Sequence, residues 1–157
     1  MEQYIDRYVE YLRNVKKSSE NTIASYKRDL LKFVGYFRNK DLNSLEDITE
    51  TYITSYVLDM EKNGMSMATV SRNIASIKSF YAFLFRERVV DNDPAENIKP
   101  PKIVKKVPEI LTINEVNKLL SQPTSKTPKE IRDKAMLELL YATGIRVTEL
   151  VTLKLTD

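Results

Sequence analysis

The residues best suited to chemistry lie in the run Ala142-Thr143-Gly144-Ile145-Arg146-Val147-Thr148-Glu149-Leu150-Val151-Thr152. Gly144 is a natural stop for one helical pattern, and Val147 to Leu150 reads as the start of another, which puts Arg146 at the junction. An arginine there can aim its planar fork at a phosphate, while backbone N–H groups of the new helix add donors. Phosphoryl transfer uses such a group. Charge spreads over the nonbridging oxygens, and fixed cationic donors stabilise it in the transition state. Glu149 is spaced to accept a bond from the guanidinium and hold its orientation. The plainer alternatives are a surface arginine near a helix end and an acid favoured by the helix macrodipole. Spacing alone does not choose between them.

The rest of the composition narrows the chemistry. The 157 residues include no Cys and no His, which excludes disulfides, Cys/His metal sites and triads built on either residue. Any acid–base work falls to Lys, Arg, Tyr, Asp or Glu. Hydrophobic content of 42% with 30% charged residues fits a soluble globular protein. No apolar run approaches the ~18 residues of a membrane span, so no membrane partner is expected. Met1-Glu2-Gln3-Tyr4-Ile5-Asp6-Arg7 lacks the basic and apolar regions of a signal peptide, and a cytoplasmic location is the expectation.

The net charge is +3, and its distribution says more than its size. The stretch Asn97 to Glu109 holds four lysines, Lys99, Lys102, Lys105 and Lys106, against one acid, and the remainder of the chain is neutral. A basic strap on a neutral body suits a polyanion such as a nucleic-acid backbone. A solubilising linker is the simpler reading of charge taken alone.

Two helical segments carry an unusual polar face. Thr69, Arg72, Asn73, Ser76 and Ser79 recur at spacings of three and four, opposite an apolar stripe. Thr22, Ser25, Arg28 and Lys32 do the same on an earlier segment. Small hydroxyl residues permit close approach, and interspersed Arg, Lys and Asn can bond phosphates or base edges in a major groove. Either face alone could be an ordinary solvated surface. Two of them followed by a basic strap shift the balance toward nucleic acid.

The elements that position these residues follow from periodicity. Ile5, Tyr8, Val9, Leu12 and Val15 mark a first helix. Ser18-Ser19-Glu20 caps a second, with Ile23, Tyr26, Leu30, Phe33, Val34 and Phe37 on its apolar side. A third begins after Thr49, carries Tyr52, Ile53, Tyr56, Val57 and Met60, and ends near Asn63-Gly64. A fourth begins after Ser66 with Val70, Ile74, Ile77, Tyr81 and Leu84. Four such helices predict a compact bundle over residues 1–91. Residues 92–109 contain four of the six prolines and read as a semi-rigid basic linker. In 110–157, Thr112-Ile113-Asn114-Glu115 and Thr127-Pro128-Lys129-Glu130 are capping boxes, the second with Pro at the first helical position. The fold class expected for this chain is all-α.

The motifs together resemble a known family. Ser19-Glu20-Asn21-Thr22 with Tyr26, Asp29 and Leu30, the stretch Ser66 through Phe83, and Asp93-Pro94-Ala95-Glu96 carry the first part of the resemblance. Leu111-Thr112 with Glu115, and Ala142 through Leu150 with Leu153, carry the second. The chain is similar along its length to the N-terminal part of the Xer-type tyrosine recombinases, nearest the XerD/XerC group. The resemblance implies a four-helix, SAM-like core-binding bundle, a linker that crosses DNA, and the first helices of a truncated mixed α/β catalytic domain. It implies that Arg146 binds the scissile phosphate with Glu149 in support, and that the two polar helix faces meet the major groove. The family more often has Ser where Thr148 stands, a change that keeps the hydroxyl.

The same resemblance implies a parent that cuts and rejoins a double-stranded DNA recombination site through a 3′-phosphotyrosine, without cofactor. The parent would act as a tetramer with itself or a paralogue, in resolving chromosome dimers at cell division. The family's catalytic lysine, its His-x-x-Arg motif and its tyrosine nucleophile have no counterpart in these residues. Tyr8, Tyr26, Tyr52, Tyr56, Tyr81 and Tyr141 sit on apolar stripes and read as core. The expectation is a chain that binds DNA without cutting it, and that self-associates or lacks order after residue 110. A natural non-catalytic competitor of a recombinase and a helical protein-interaction module stay open as alternatives.

Overall fold

A computed structural model describes residues 1–42, 44–102, 109–124 and 126–154. The described residues form seven helices and no strand. The chain divides into two compact units, Met1–Lys105 and Lys106–Asp157.

The first unit contains α1 (Glu2–Asn14), α2 (Glu20–Arg38), α3 (Glu50–Lys62) and α4 (Met67–Arg86). Local chemistry starts and stops these helices where the periodicity predicts. Ser19 and Ser66 have extended backbone, and their hydroxyls accept from the N–H groups of Thr22 and Thr69, which satisfies one orphan donor of α2 and of α4. Three stops share one geometry. Asp41, Gly64 and Arg88 have positive φ, and the next residue's N–H reaches back to Phe37, Met60 and Leu84 carbonyls respectively. Only one of the three is glycine.

The core is one continuous cluster. Ile5, Tyr8, Leu30, Phe33, Phe37, Ile53, Val70, Phe80, Tyr81 and Leu84 are all buried in it. Phe33 packs edge-on against Phe37, Tyr56 and Tyr81, at centroid distances of 5.0, 5.3 and 6.3 Å. Helix α4 sits at the centre, packed against α1, α2 and α3. The α2–α3 connection folds back onto this core: Leu45 and Ile48 are buried, and the Tyr81 hydroxyl donates to the Leu45 carbonyl at 3.2 Å.

The packing does not end with α4, as a boundary at residue 91 requires. Val90, Ala95 and Ile98 are buried in the same cluster. Lys78 Nζ donates to the carbonyls of Glu96 and Ile98 at 2.7 and 3.1 Å, which fastens this segment to α4. The residues expected to open the linker are thus part of the bundle, because their apolar side chains find core space that the pattern of helices alone does not reveal.

The second unit contains α5 (Ile113–Leu120), α6 (Pro128–Thr143) and α7 (Val147–Thr152). Its caps are the best formed in the chain. Thr112 with Glu115, and Thr127 with Glu130, make reciprocal capping boxes. Hydrogen bonds to Thr112, the backbone one foremost, hold the Glu115 carboxyl below its ordinary range, and the Thr124 hydroxyl leads in doing the same for Glu130. Yet none of its described residues is buried. Ile113, Leu119, Ile131, Tyr141, Val147, Val151 and Leu153 are exposed. Two tyrosines expected in the core lie outside it: Tyr52 is 39% exposed and Tyr141 is 60% exposed. Tyr141 lies in the unit in which none of the described residues is buried. Val15, past the end of α1, is likewise exposed.

Candidate nucleic-acid interface

The polar faces of α2 and α4 fare differently. On α2, Arg28 and Lys32 are exposed one turn apart, with Thr22 and Ser25 half-buried. Thr22 is engaged by the cap, its Oγ1 lying 2.9 Å from Ser19 Oγ. Asn21, Ala24 and Leu31, which the pattern did not single out, share the exposed side. These positions form an outward face with cationic tips and small residues between them.

On α4 the expected polar face is partly interior. Asn73 and Ser76 are buried, at 3% and 0% exposure, and cannot meet a ligand as surface donors. Asn73 Nδ2 donates to the Thr69 carbonyl at 3.1 Å, and its Oδ1 accepts from the Tyr56 hydroxyl at 3.4 Å. Ser76 Oγ donates to the Asn73 carbonyl at 2.8 Å. The physical reason is the position of α4: three helices pack on it, and its buried arc is wider than its apolar stripe. Both polar side chains are internally satisfied, as burial demands. Ser79 is half-buried. Ala68, Arg72 and Ala75 are exposed on α4, with Thr69 half-buried beside them.

Arg72 is held from beneath. Its Nε and Nη2 donate to the two carboxylate oxygens of Asp29 on α2, at 2.8 and 3.0 Å. Asp29 is 2% exposed and the Arg72 side chain 43% exposed. The bond to Asp29 raises the arginine's pKa further above its already high value. Lys32, Thr69 and Arg72 line one cleft of about 330 Å³ between α2, α3 and α4. Tyr36 lies on the same cleft, where Lys40 Nζ donates to its hydroxyl at 2.7 Å and lowers its pKa. Asp29 had a signal in the sequence that its spacing obscured: an acid set among Tyr26, Leu30 and Phe33 on an apolar stripe.

The strap is only partly in view. Lys99 and Lys102 are exposed, and Lys105 and Lys106 lie outside the described residues.

In the second unit the structure brings Arg146 and Glu149 together. Gly144 stops α6 at φ 66°, with its N–H on the Leu140 carbonyl at 2.8 Å. A side chain at that φ would be strained, so glycine sets the turn. Arg146 then caps α7 with extended backbone. One Glu149 carboxylate oxygen accepts the Arg146 backbone N–H at 2.8 Å, and the other accepts from Nη1 at 3.1 Å. The arrangement is half of a capping box, since a guanidinium has no acceptor to return. The Arg146 side chain is 82% exposed, so its remaining donors face outward. Among the described residues, no cluster of Asp and Glu could hold a metal ion, and no helix is long and apolar enough to cross a membrane.

Comparison with known proteins covers the whole chain. Residues 5–88 match the phage integrase N-terminal SAM-like domain, and residues 109–157 match the phage integrase family. Tyrosine recombinase XerD of Oceanobacillus iheyensis is 42% identical over 158 aligned positions, which span 100% of this chain and 53% of that protein. Tyrosine recombinase XerC of Roseiflexus castenholzii is 39% identical, over 100% of this chain and 50% of its own length. The chain thus spans about half the length of these curated relatives. Among solved structures, the Tn1549 transposon integrase, in complex with circular intermediate DNA, superposes at a TM-score of 0.67 with 18% identity. That match covers 98% of this chain and 50% of the solved integrase chain, which holds its residues 82–397. The XerA recombinase superposes at 0.50 with 28% identity, over 99% of this chain and 50% of its own.

Proposed function

The chain belongs to the phage integrase family and is homologous to the N-terminal part of the Xer tyrosine recombinases, and from that premise we propose that it is the DNA-binding portion of a site-specific recombinase. The observation that carries the reading is the shared outward side of α2 and α4, where Arg28, Lys32 and Arg72 stand on a fully packed core. A rigid bundle fixes the spacing of these cations, and small neighbours such as Ala24, Ala68 and Ala75 leave room for a groove wall. Lys99 and Lys102 add sequence-independent attraction to phosphate.

Arg146 is the phosphate-binding arginine in this proposal, with Glu149 fixing its orientation. Its open donors suit the nonbridging oxygens of a scissile phosphate, where charge develops. Strand cleavage through a 3′-phosphotyrosine belongs to the whole recombinase, acting in the cytoplasm on a tetrameric DNA complex with itself or a paralogue. Resolution of chromosome dimers at cell division is the biological role we assign to it. These 157 residues by themselves bind duplex DNA and do not cut it.

A salt titration of duplex binding tests the first half. Affinity should fall steeply with salt, by a factor of about ten for each added phosphate contact per decade of salt. Arg28→Gln and Lys32→Gln should each make the dependence shallower by about one in log–log slope. Absent or salt-insensitive binding would return the chain to a protein-interaction role. Denaturing electrophoresis of the chain with a nicked duplex tests the second half, and a covalent adduct would overturn it.

A further inference from the structure

The Arg72–Asp29 pair is unlike the other cation sites of the interface. Arg28 and Lys32 are exposed cations, free to neutralise phosphate. Arg72 is paired with a buried carboxylate through two parallel bonds of 2.8 and 3.0 Å. The pair has no net charge, so it releases few counterions when a polyanion arrives. What it offers is geometry. Five N–H bonds radiate from a guanidinium, and Asp29 takes two of them, which leaves three in a fixed plane on the outward side. Because Asp29 is anchored in the core, the plane cannot swing with the solvent-exposed stem. A fixed planar donor edge suits the paired acceptors of a base, above all guanine O6 and N7, better than a diffuse phosphate charge.

Resting on the duplex-binding reading above, we propose that Asp29 is a positioning residue, which holds Arg72 as a reader of base edges rather than a neutraliser of phosphate. The division of labour follows: α2 supplies charge through Arg28 and Lys32, and α4 supplies sequence discrimination through Arg72. Of the two carboxylates lining the cleft beside Lys32, Thr69 and Arg72, Asp29 is engaged by Arg72 itself and Asp59 accepts from Asn63 Nδ2 at 3.0 Å.

The experiment uses the full chain and a randomised duplex pool, with the bound fraction sequenced. The best enriched duplex and a scrambled duplex then give a discrimination ratio, and each is titrated with salt. Asp29→Asn should lower the ratio by about tenfold while the scrambled duplex binds at least as well as before. Arg72→Lys keeps the charge and an amine that can still bond Asp29 but loses the planar fork, and should lower the ratio to the same extent. The double variant Asp29→Asn with Arg72→Gln keeps the net charge, and should lose discrimination with an unchanged salt slope.

A ratio that survives all three changes overturns the proposal. So does a parallel loss of scrambled-duplex affinity with a slope shallower by about one, which would make Arg72 a phosphate contact. If Asp29→Asn fails to fold by circular dichroism, Arg72→Lys carries the test alone. A wild type that binds duplexes without preference overturns this proposal and leaves duplex binding intact; a wild type that binds none removes both.

Discussion

The two units are built by opposite means. In Met1–Lys105 a large apolar cluster is removed from water, and helices stand because they pack. In Lys106–Asp157 none of the described residues is buried, and the helices rest on reciprocal capping boxes and local hydrogen bonds. The difference teaches where each candidate function draws its precision. The α2–α4 face inherits rigidity from the core behind it, down to the buried carboxylate under Arg72. Arg146 has only Glu149 and a glycine turn to hold it, and its side chain is largely in solvent. Caps alone seldom stabilise a helix of α5's or α7's length, since most helical stability in proteins comes from tertiary packing.

Core truncation should separate the units most sharply. Phe33→Ala removes a ring that touches Phe37, Tyr56 and Tyr81, and should cost about 3–5 kcal/mol in urea melts followed by helical circular dichroism. Ile131→Ala, at a position 55% exposed, should stay within about 0.5 kcal/mol. Equal costs would mean that the second unit has a core of its own.

The next effect tests the coupling of core to interface. Arg72→Ala leaves the Asp29 carboxylate buried without its partner, at a cost of about 1–3 kcal/mol after allowance for the arginine's exposure. Arg146→Ala should leave global stability unchanged, because both members of that pair are in solvent. A stability loss at Arg146 would show that the second unit is tied together more firmly than its burial indicates.

Alkaline titration should act on the first unit. Burial pushes Tyr56 up to about 12 and Tyr8 and Tyr81 further still. A folded pKa raised above the unfolded one favours folding below the unfolded value, near 10, and that advantage is lost as pH rises beyond it. Stability should therefore decline above about pH 10, by up to about 1.4 kcal/mol per pH unit for each buried tyrosine. Tyr8→Phe should remove one such share. It should also raise neutral-pH stability by about 1 kcal/mol, because the Tyr8 hydroxyl is buried beside Ser79 without a hydrogen bond of good geometry. A melting temperature that falls in Tyr8→Phe would overturn this.

The smallest effect belongs to the caps. Glu115 and Glu130 have folded pKa values below their ordinary ones, so their contribution is present above the ordinary glutamate range and fades as pH falls through it. Thr112→Ala and Thr127→Ala should produce a modest loss of helicity confined to 110–154, read by residue-resolved amide exchange. Sedimentation at rising concentration should find self-association through the exposed Leu119, Ile131 and Val151. Changing all three to polar residues should abolish it.

Helix starts and stops were legible in the sequence because they are decided within a turn of the chain. A hydroxyl three residues ahead of an N–H, a proline at the first helical position, and a glycine at φ 66° need no distant partner. The Arg146–Glu149 pair belongs to the same class, three residues apart on one short helix. Burial was decided elsewhere. Asn73 and Ser76 sit on what reads as a polar face, yet they are interior because α1, α2 and α3 together cover more of α4 than its apolar stripe spans. Ala95 and Ile98 join the core that the helices form, and Asp29 meets Arg72 across 43 residues of chain. Local hydrogen bonds are fixed by spacing along the chain; the covered side of a helix, and the buried charge beneath a surface arginine, are fixed only when other helices arrive.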